Sequence, residues 1–389
     1  MQTRSKRRGA GAVMAIAALA LVAASCGSKK SASTTTAAPA TTEAAAPATT
    51  AAAPATTEAP ATTAAPVVNL DTNGDGKVQF GLAIAGPKDD GAYYQALVDG
   101  VGKFTKSHGF PDAIVVDNVK AESAAQSLGD LAQQNVDVMV VGSSEIAGPL
   151  KDLTTQYDKI FWYCNCGAGF ASLPGLAQSL DDGSEIGFTA GYAAGLVMKA
   201  KGAKNLAFIG CCDLPFEKEA YLSTEAGMQA VDPALTLTYY KSGAFQFDFN
   251  NTAGATTAYN TAKAAGAGAV DAYLGGAHEP IVKLANADNL ITMSAGRSNA
   301  CERTDIKYDI AVRFDGGDYI LAAMDKILAG TFKEGESYTF HVGVDPEPGA
   351  KICNATADET AAMDTLYKDI AAGKYKDSFG AIKGKAYGG

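Results

Sequence analysis

Lys77-Val78-Gln79-Phe80-Gly81-Leu82-Ala83-Ile84 opens the foldable part of this chain, and a stretch with Tyr94, Leu97, Val98, Val101 and Phe104 on one face comes next. A short apolar run suits a buried strand, whereas apolar residues at every third or fourth position mark a helix. The pair recurs. A strand at 113–116, a helix over 123–134, a buried strand at 136–141, a helix over 147–157 and a strand at 159–164 follow. This β-α-β-α rhythm predicts a parallel sheet covered by helices, with ligands collecting beyond the carboxyl ends of its strands.

After Asp181-Asp182 the rhythm restarts. Helices are expected over 185–199, 219–230, 253–265 and 280–287, with strands at 205–210, 235–240, 270–274 and 290–294. The tail adds strands at 309–314 and 338–342 and helices over 318–328 and 358–371. Two successive α/β halves with leftover elements suit a two-lobed protein whose chain crosses between the lobes several times.

Upstream of the body, residues 1–25 read as a secretory leader. Arg4, Lys6, Arg7 and Arg8 form a basic start, an apolar run over 10–24 follows, and Cys26 stands after the small residues Ala23-Ala24-Ser25. The apolar run is short for a membrane-spanning helix. A Cys at that junction resembles a lipoprotein lipobox, which implies acylation of Cys26 and an anchor on the outer face of the cell membrane; simple secretion with a stray thiol is the alternative. Residues 26–68 are dominated by Ala, Thr, Pro, Ser and Glu, with Ala-Pro-Ala-Thr-Thr repeated. Such a segment buries too little apolar surface to offset its ordering entropy and reads as a disordered tether.

The leader carries four basic and no acidic residues, so its removal takes the formal net charge from −10 to −14. An acidic body argues against nucleic acid or an anionic lipid surface as partner. Six cysteines follow Cys26: Cys164, Cys166, Cys211, Cys212, Cys301 and Cys353. An even number in an exported chain suggests disulfides. Cys301 with Cys353 is the preferred pair, and the other four sit at two strand ends where cross-pairing is open. Zinc is the weaker reading of those four, since they lack CxxC spacing and a nearby His.

Ile84-Ala85-Gly86-Pro87-Lys88-Asp89-Asp90-Gly91-Ala92-Tyr93-Tyr94-Gln95 resembles the first strand and ligand loop of the basic membrane protein family. That family comprises lipoprotein substrate-binding components of ABC transporters and includes purine-nucleoside receptors. Asp89, Asp90, Ala92, Tyr93 and Gln95 match the family pattern, while Tyr94 stands where the family has Asn. Glu185-Ile186-Gly187-Phe188-Thr189-Ala190-Gly191-Tyr192-Ala193-Ala194-Gly195-Leu196 resembles a second family block, and weaker matches extend to Lys374. The resemblance implies a type I periplasmic-binding fold: two Rossmann-like lobes with parallel sheets, three hinge crossovers and a ligand in the cleft. By pattern the crossovers fall near Asp181, Arg297 and Lys333. That gives an N-terminal lobe of 77–181 plus 298–332 and a C-terminal lobe of 182–297 plus 333–389.

The resemblance also implies a site. Tyr93 stacks on the ligand, or else begins a helix and packs in the core; Tyr94 is open to the same choice. Asp89 and Asp90 accept hydrogen bonds from the ligand, or cap the helix. Ser143 and Asn165 follow the third and fourth strands, where cleft residues belong. Phe216 resembles the second-lobe aromatic that closes over the ligand, and Gly276 sits in a glycine-rich loop where backbone N–H groups approach closely. His278 beside it is a contact or an ordinary loop residue. Arg297 stands where nucleoside receptors carry an acid, and Asp315 follows a strand where they carry Lys. In the cleft Arg297 would favour a carboxylate or phosphate; otherwise it forms a hinge salt bridge.

The expected function is therefore an extracytoplasmic solute receptor for a nucleoside-like or other small polar or anionic metabolite. It would work as a monomer with a membrane permease, without a cofactor. A sensor serving a membrane signalling receptor has the same fold. A surface enzyme is weakly supported: there is no G-x-S-x-G, H-E-x-x-H or G-x-x-x-x-G-K-[ST] motif, and His108, His278 and His341 are the only histidines. Asp71, Asn73 and Asp75 match half of an EF-hand loop, but position twelve is Leu82, so a simple turn competes with weak calcium binding.

Overall fold

The computed structural model describes residues 68–167 and 170–388. The leader, Cys26 and the tether up to residue 67 lie outside the described residues. No described helix is long and apolar enough to cross a membrane.

The chain begins as expected: β1 (Phe80–Ala83), α1 (Tyr93–His108), β2 (Ile114–Val116), α2 (Ala124–Ala132), β3 (Val138–Val141), α3 (Leu150–Gln156), β4 (Phe161–Asn165) and β5 (Ala177–Asp181). It continues through α4 (Gly183–Lys201), β6 (Asn205–Gly210), α5 (Pro215–Val231), β7 (Thr236–Lys241), α6 (Thr252–Ala264), β8 (Ala269–Ala272), α7 (His278–Ala287), β9 (Ile291–Met293) and β10 (Ile310–Arg313). Last come α8 (Gly316–Leu328), β11 (Ser337–Phe340), β12 (Gly349–Ile352), α9 (Ala357–Ala371) and α10 (Lys376–Tyr387).

Two six-stranded sheets result. The first runs β11-β5-β4-β3-β1-β2 and is parallel throughout; the second runs β12-β10-β9-β8-β6-β7 and is parallel except for β12. The inner strands β1, β3 and β6 are apolar on both faces because helices cover both. Phe80, Leu82 and Val140 pack under α1 and α8, while Met139, Val141 and Trp162 pack under α2 and α3. In the second lobe α4, α5, α9 and α10 cover one face, and α6 and α7 the other.

Three crossovers join the lobes. The one at Asp181-Asp182 was expected. The other two fall later than expected, at Phe314-Asp315 and at His341, because β10 belongs to the second sheet and β11 to the first. The expected assignment of 298–332 to the first lobe and 333–389 to the second is corrected accordingly. Alternating strands and helices reveal the layers but not which of two similar sheets a strand joins. β5, β12 and α10 went unexpected. β5 carries the polar pair Gln178 and Ser179, fully buried and held by β4 on one side and β11 on the other.

Cys301 and Cys353 form the expected disulfide, tying the turn after β9 to the end of β12. The other four cysteines pair locally, Cys164 with Cys166 and Cys211 with Cys212, rather than across the two strand ends. The zinc reading is corrected with them, since their sulfurs are taken.

The glycines of α4 explain the second family-like block. A Cβ on Gly191 would strike the Thr224 carbonyl of α5, and one on Gly227 would strike the Phe188 carbonyl of α4, so these helices touch backbone to backbone. Gly191→Ala is expected to lower stability by roughly 1–3 kcal/mol through overpacking. Gly102→Ala, in open space on α1, should raise it by a few tenths of a kcal/mol up to about 1. Chemical denaturation of both variants checks this; equal effects would refute the close crossing.

Candidate functional site

The carboxyl ends of both sheets face one cleft, with about 180 Å³ open to the centre of a water molecule. The first lobe contributes Tyr93 and Tyr94 from the start of α1, Ser143, Ser144 and Glu145 after β3, Asn165 at the end of β4, and Asp181 at the end of β5. The second lobe contributes Phe216 and Glu219 from α5, Phe249 from the loop after β7, Asp271 and Tyr273 on and just after β8, and Phe314 after β10.

Aromatic rings run across the cleft as a chain. Phe249 lies 6.2 Å from Phe216, which lies 6.4 Å from Tyr273; Tyr273 is 5.4 Å from Phe314, and Phe314 is 6.4 Å from Tyr93. Tyr94 meets Tyr93 edge-on at 5.6 Å. Tyr93 thus serves both readings, lining the cleft while its hydroxyl donates to the Gly142 carbonyl at 2.9 Å. The Tyr94 hydroxyl donates to Glu145, which also accepts from Ser143 at 3.4 Å. Phe216 is positioned by Glu217, whose buried carboxylate accepts the N–H groups of Cys211, Cys212 and Leu214 at 2.6, 3.1 and 2.8 Å.

The acids are the feature that the sequence did not announce. Glu145, Asp181, Glu219 and Asp271 all line the cleft, and among its described lining residues there is no Lys, Arg or His. Glu219 is satisfied by the Ser184 hydroxyl at 2.6 Å and the Tyr387 hydroxyl at 2.9 Å. Burial raises the Glu145 carboxyl, offset in part by its Tyr94 and Ser143 bonds. Burial pushes Asp181 up to about 7, assisted by the neighbouring Glu219 and Asp182 carboxylates. Asp271 is 4 % exposed, and burial alone pushes it to about 7. No donor among the described residues reaches its carboxyl. Asn165 is also buried, and its amide nitrogen has no partner among the described residues.

Several expected site residues lie elsewhere. Asp89 is exposed and off the cleft lining. Asp90 caps α1, accepting from Ala92 at 2.9 Å and Gln95 at 3.0 Å. Asp315 caps α8 through Gly317 at 3.0 Å and holds the Ser298 N–H at 2.9 Å. His278 is buried, its Nδ1 against the Ala272 carbonyl at 2.7 Å and its Nε2 against the Tyr308 hydroxyl at 3.1 Å. The Gly276 N–H donates to Asn250 at 2.6 Å, so only Gly275 of that loop stays on the lining. Arg297 pairs with Asp99 of α1 at 3.2 Å, the interlobe salt bridge, and the expected anion loses its cation. Around Asp71, Asn73 and Asp75 the side-chain oxygens accept the loop's own N–H groups, which is the simple turn.

A sequence model of the family described as "ABC transporter substrate-binding protein PnrA-like" matches residues 77–344. Among curated proteins, none matches the chain by sequence. The fold is similar to that of an ABC transporter solute-binding protein from Conexibacter woesei, at TM-score 0.57 and 19 % identity over 76 % of this chain and 97 % of that one. It is also similar to a solute-binding protein from Aeropyrum pernix, at TM-score 0.61 and 13 % identity over 79 % and 99 %. A transcriptional activator of the comK gene from Bacillus halodurans, at TM-score 0.59 and 13 % identity over 76 % and 98 %, has the fold as well. This chain belongs to the family of PnrA-like ABC transporter substrate-binding proteins.

The raised carboxyls generate a stability prediction. In the folded protein Asp181 and Asp271 keep a proton up to about 7, whereas in the unfolded chain they lose it near 3.8. Their contribution is therefore complete below the unfolded value and disappears as the pH rises through the folded one. Asp271→Asn should flatten the decline of stability between about pH 5 and 7, by up to about 1.4 kcal/mol per pH unit. Denaturation series at several pH values measure this, and an unchanged slope would mean that Asp271 ionises without penalty.

Proposed function

We propose that this chain is the extracytoplasmic receptor of an ABC importer. It takes a small solute between its lobes, closes by rotation about the three crossovers, and presents the solute to a membrane permease. The observation that supports this most is the single cleft lined from both sheets, with aromatic rings contributed by each lobe. A solute held there makes contacts with both halves at once, so its binding energy favours their approach. The Arg297–Asp99 pair, which joins the lobes directly, adds to the approached state. Family membership supports a nucleoside-like solute as one option, and the carboxylates suit ribose hydroxyls as acceptors.

Acylation of Cys26 would anchor this receptor at the outer face of the membrane, with residues 26–68 as its tether. The fitting partners are a small solute and a permease, with the receptor as a monomer.

Two measurements test the proposal. A thermal-shift series on the full chain with nucleosides, sugars, amino acids, amines and organic anions should find one class that raises the melting temperature. Scattering with that solute should give a smaller radius of gyration. Asp99→Asn should then weaken affinity by a factor of roughly 2–5, the size expected of an exposed ion pair; a flat response to every class would count against a receptor. Separately, incorporation of a labelled fatty acid in cells should vanish in Cys26→Ser, and label persisting in that variant would place any acylation elsewhere.

A further inference from the structure

Four carboxyl groups in one cleft need a counterpart. Like charges confined in a low-dielectric space repel, and a buried ionised carboxylate without a partner is costly. Glu145 and Glu219 have hydroxyl donors. Asp181 and Asp271 have no such bond among the described residues: the Tyr319 hydroxyl faces Asp181 without closing a hydrogen bond, and Asp271 shares the cleft wall with residues of α4 and α5. The one basic side chain expected in the cleft, Arg297, is turned to Asp99.

Resting on the receptor reading above, we propose that the solute is an organic cation. A protonated amine would lie among the aromatic rings with the Asp181 and Asp271 carboxylates as its counter-charges, and an acceptor atom would meet the Asn165 amide. Three independent features converge on it. The lining supplies negative charge and no positive charge. Its rings, Tyr93, Phe216, Tyr273 and Phe314 among them, offer the π-faces that attract ammonium groups. Among the described residues the Asn165 amide nitrogen has no partner and no hydrogen bond reaches the Asp271 carboxyl, so a ligand with a donor for one and an acceptor for the other fits the site. An anion meets only repulsion here. A neutral sugar or nucleoside can donate hydroxyls to the acids but supplies no counter-charge once they have ionised.

The pH dependence of binding follows from the same groups. Asp181 faces the Glu219 and Asp182 carboxyls and the hydroxyls of Tyr319, Tyr93, Tyr273 and Tyr387; Asp271 faces the Tyr273 hydroxyl. None of these is cationic, so an ammonium group binds best once the two aspartates have lost their protons. Amines keep theirs until about pH 10.

The test is calorimetry on the full chain with 1,4-diaminobutane, spermidine, tetramethylammonium and an aromatic monoamine, against 1,4-butanediol, galactose and inosine as uncharged probes. At least one amine should bind while the uncharged probes do not. Its affinity should rise at least tenfold from pH 5.5 to 7.5, with protons released to the buffer, as expected for an ionisation near 7. Asp271→Asn should weaken the amine at least tenfold and reduce the proton release without lowering the melting temperature of the unliganded protein. Binding of inosine or galactose with no amine binding would overturn the cation and leave the receptor intact. Binding of no probe of either kind would overturn the cation and weigh against the receptor too. An amine that binds with no pH dependence, or equally well to Asp271→Asn, would remove the aspartates from the assignment.

Discussion

Three backbone crossovers join the two sheets, and at each a carboxylate accepts backbone N–H groups. At the first, Asp182 accepts from the Ser184 and Glu185 N–H groups at 3.1 and 3.2 Å and pairs with Lys383 of α10 at 2.5 Å. At the second, Asp315 does the same for α8. At the third, Glu185 accepts the Val342 N–H at 2.8 Å and faces His341 at 3.2 Å, so the first and third crossovers are tied to each other. The free N–H groups at a helix start favour an acid in this place. Asp182, Glu185 and His341 lie close enough to share a cation, but their oxygens already serve these bonds.

Because the crossovers fix how the strand ends meet, they also fix what the cleft can contain. Asp181 stands one residue before the first capped helix, and Phe314 one residue before the second. A hinge residue and a cleft residue are thus neighbours in sequence at both places. Solute contacts at Asp181 or Phe314 bear directly on the segments that must rotate for the lobes to approach.

The layers were legible because each strand buried on both faces reads as a run of apolar residues, and each covering helix shows its period. β1, β3 and β6 are of that kind. β5 was not, since Gln178 and Ser179 are polar yet buried, and one of its two partner strands, β11, lies far along the chain. The cleft was half legible. Tyr93, Tyr94, Ser143, Asn165 and Phe216 follow strand ends, where topology puts ligand groups, and all five line it. Asp90 and Asp315 carry the same chemical signal as ligand acids, but a carboxylate before a helix satisfies N–H groups first. Asp271 was missed because a lone acid within an apolar strand resembles an edge residue in sequence, and only the sheet order makes β8 an interior strand.

The fold by itself says little about specificity. Its likeness to a comK activator as well as to transporter proteins means that the chemistry must be read from side chains. Here two of those side chains stand apart from the family pattern. Where the family carries an Asn, Tyr94 adds a ring and hands its hydroxyl to Glu145; where it carries an acid, Arg297 leaves the cleft to bridge the lobes. Asp271 places an acid in the cleft wall beside α4 and α5, and Asp181 places another at the crossover. Tyr94 thus adds a ring to the cavity, and Arg297 leaves no positive charge among its described lining residues. A neutral ribose has no need of both Asp181 and Asp271, whereas a cation gains from each of them.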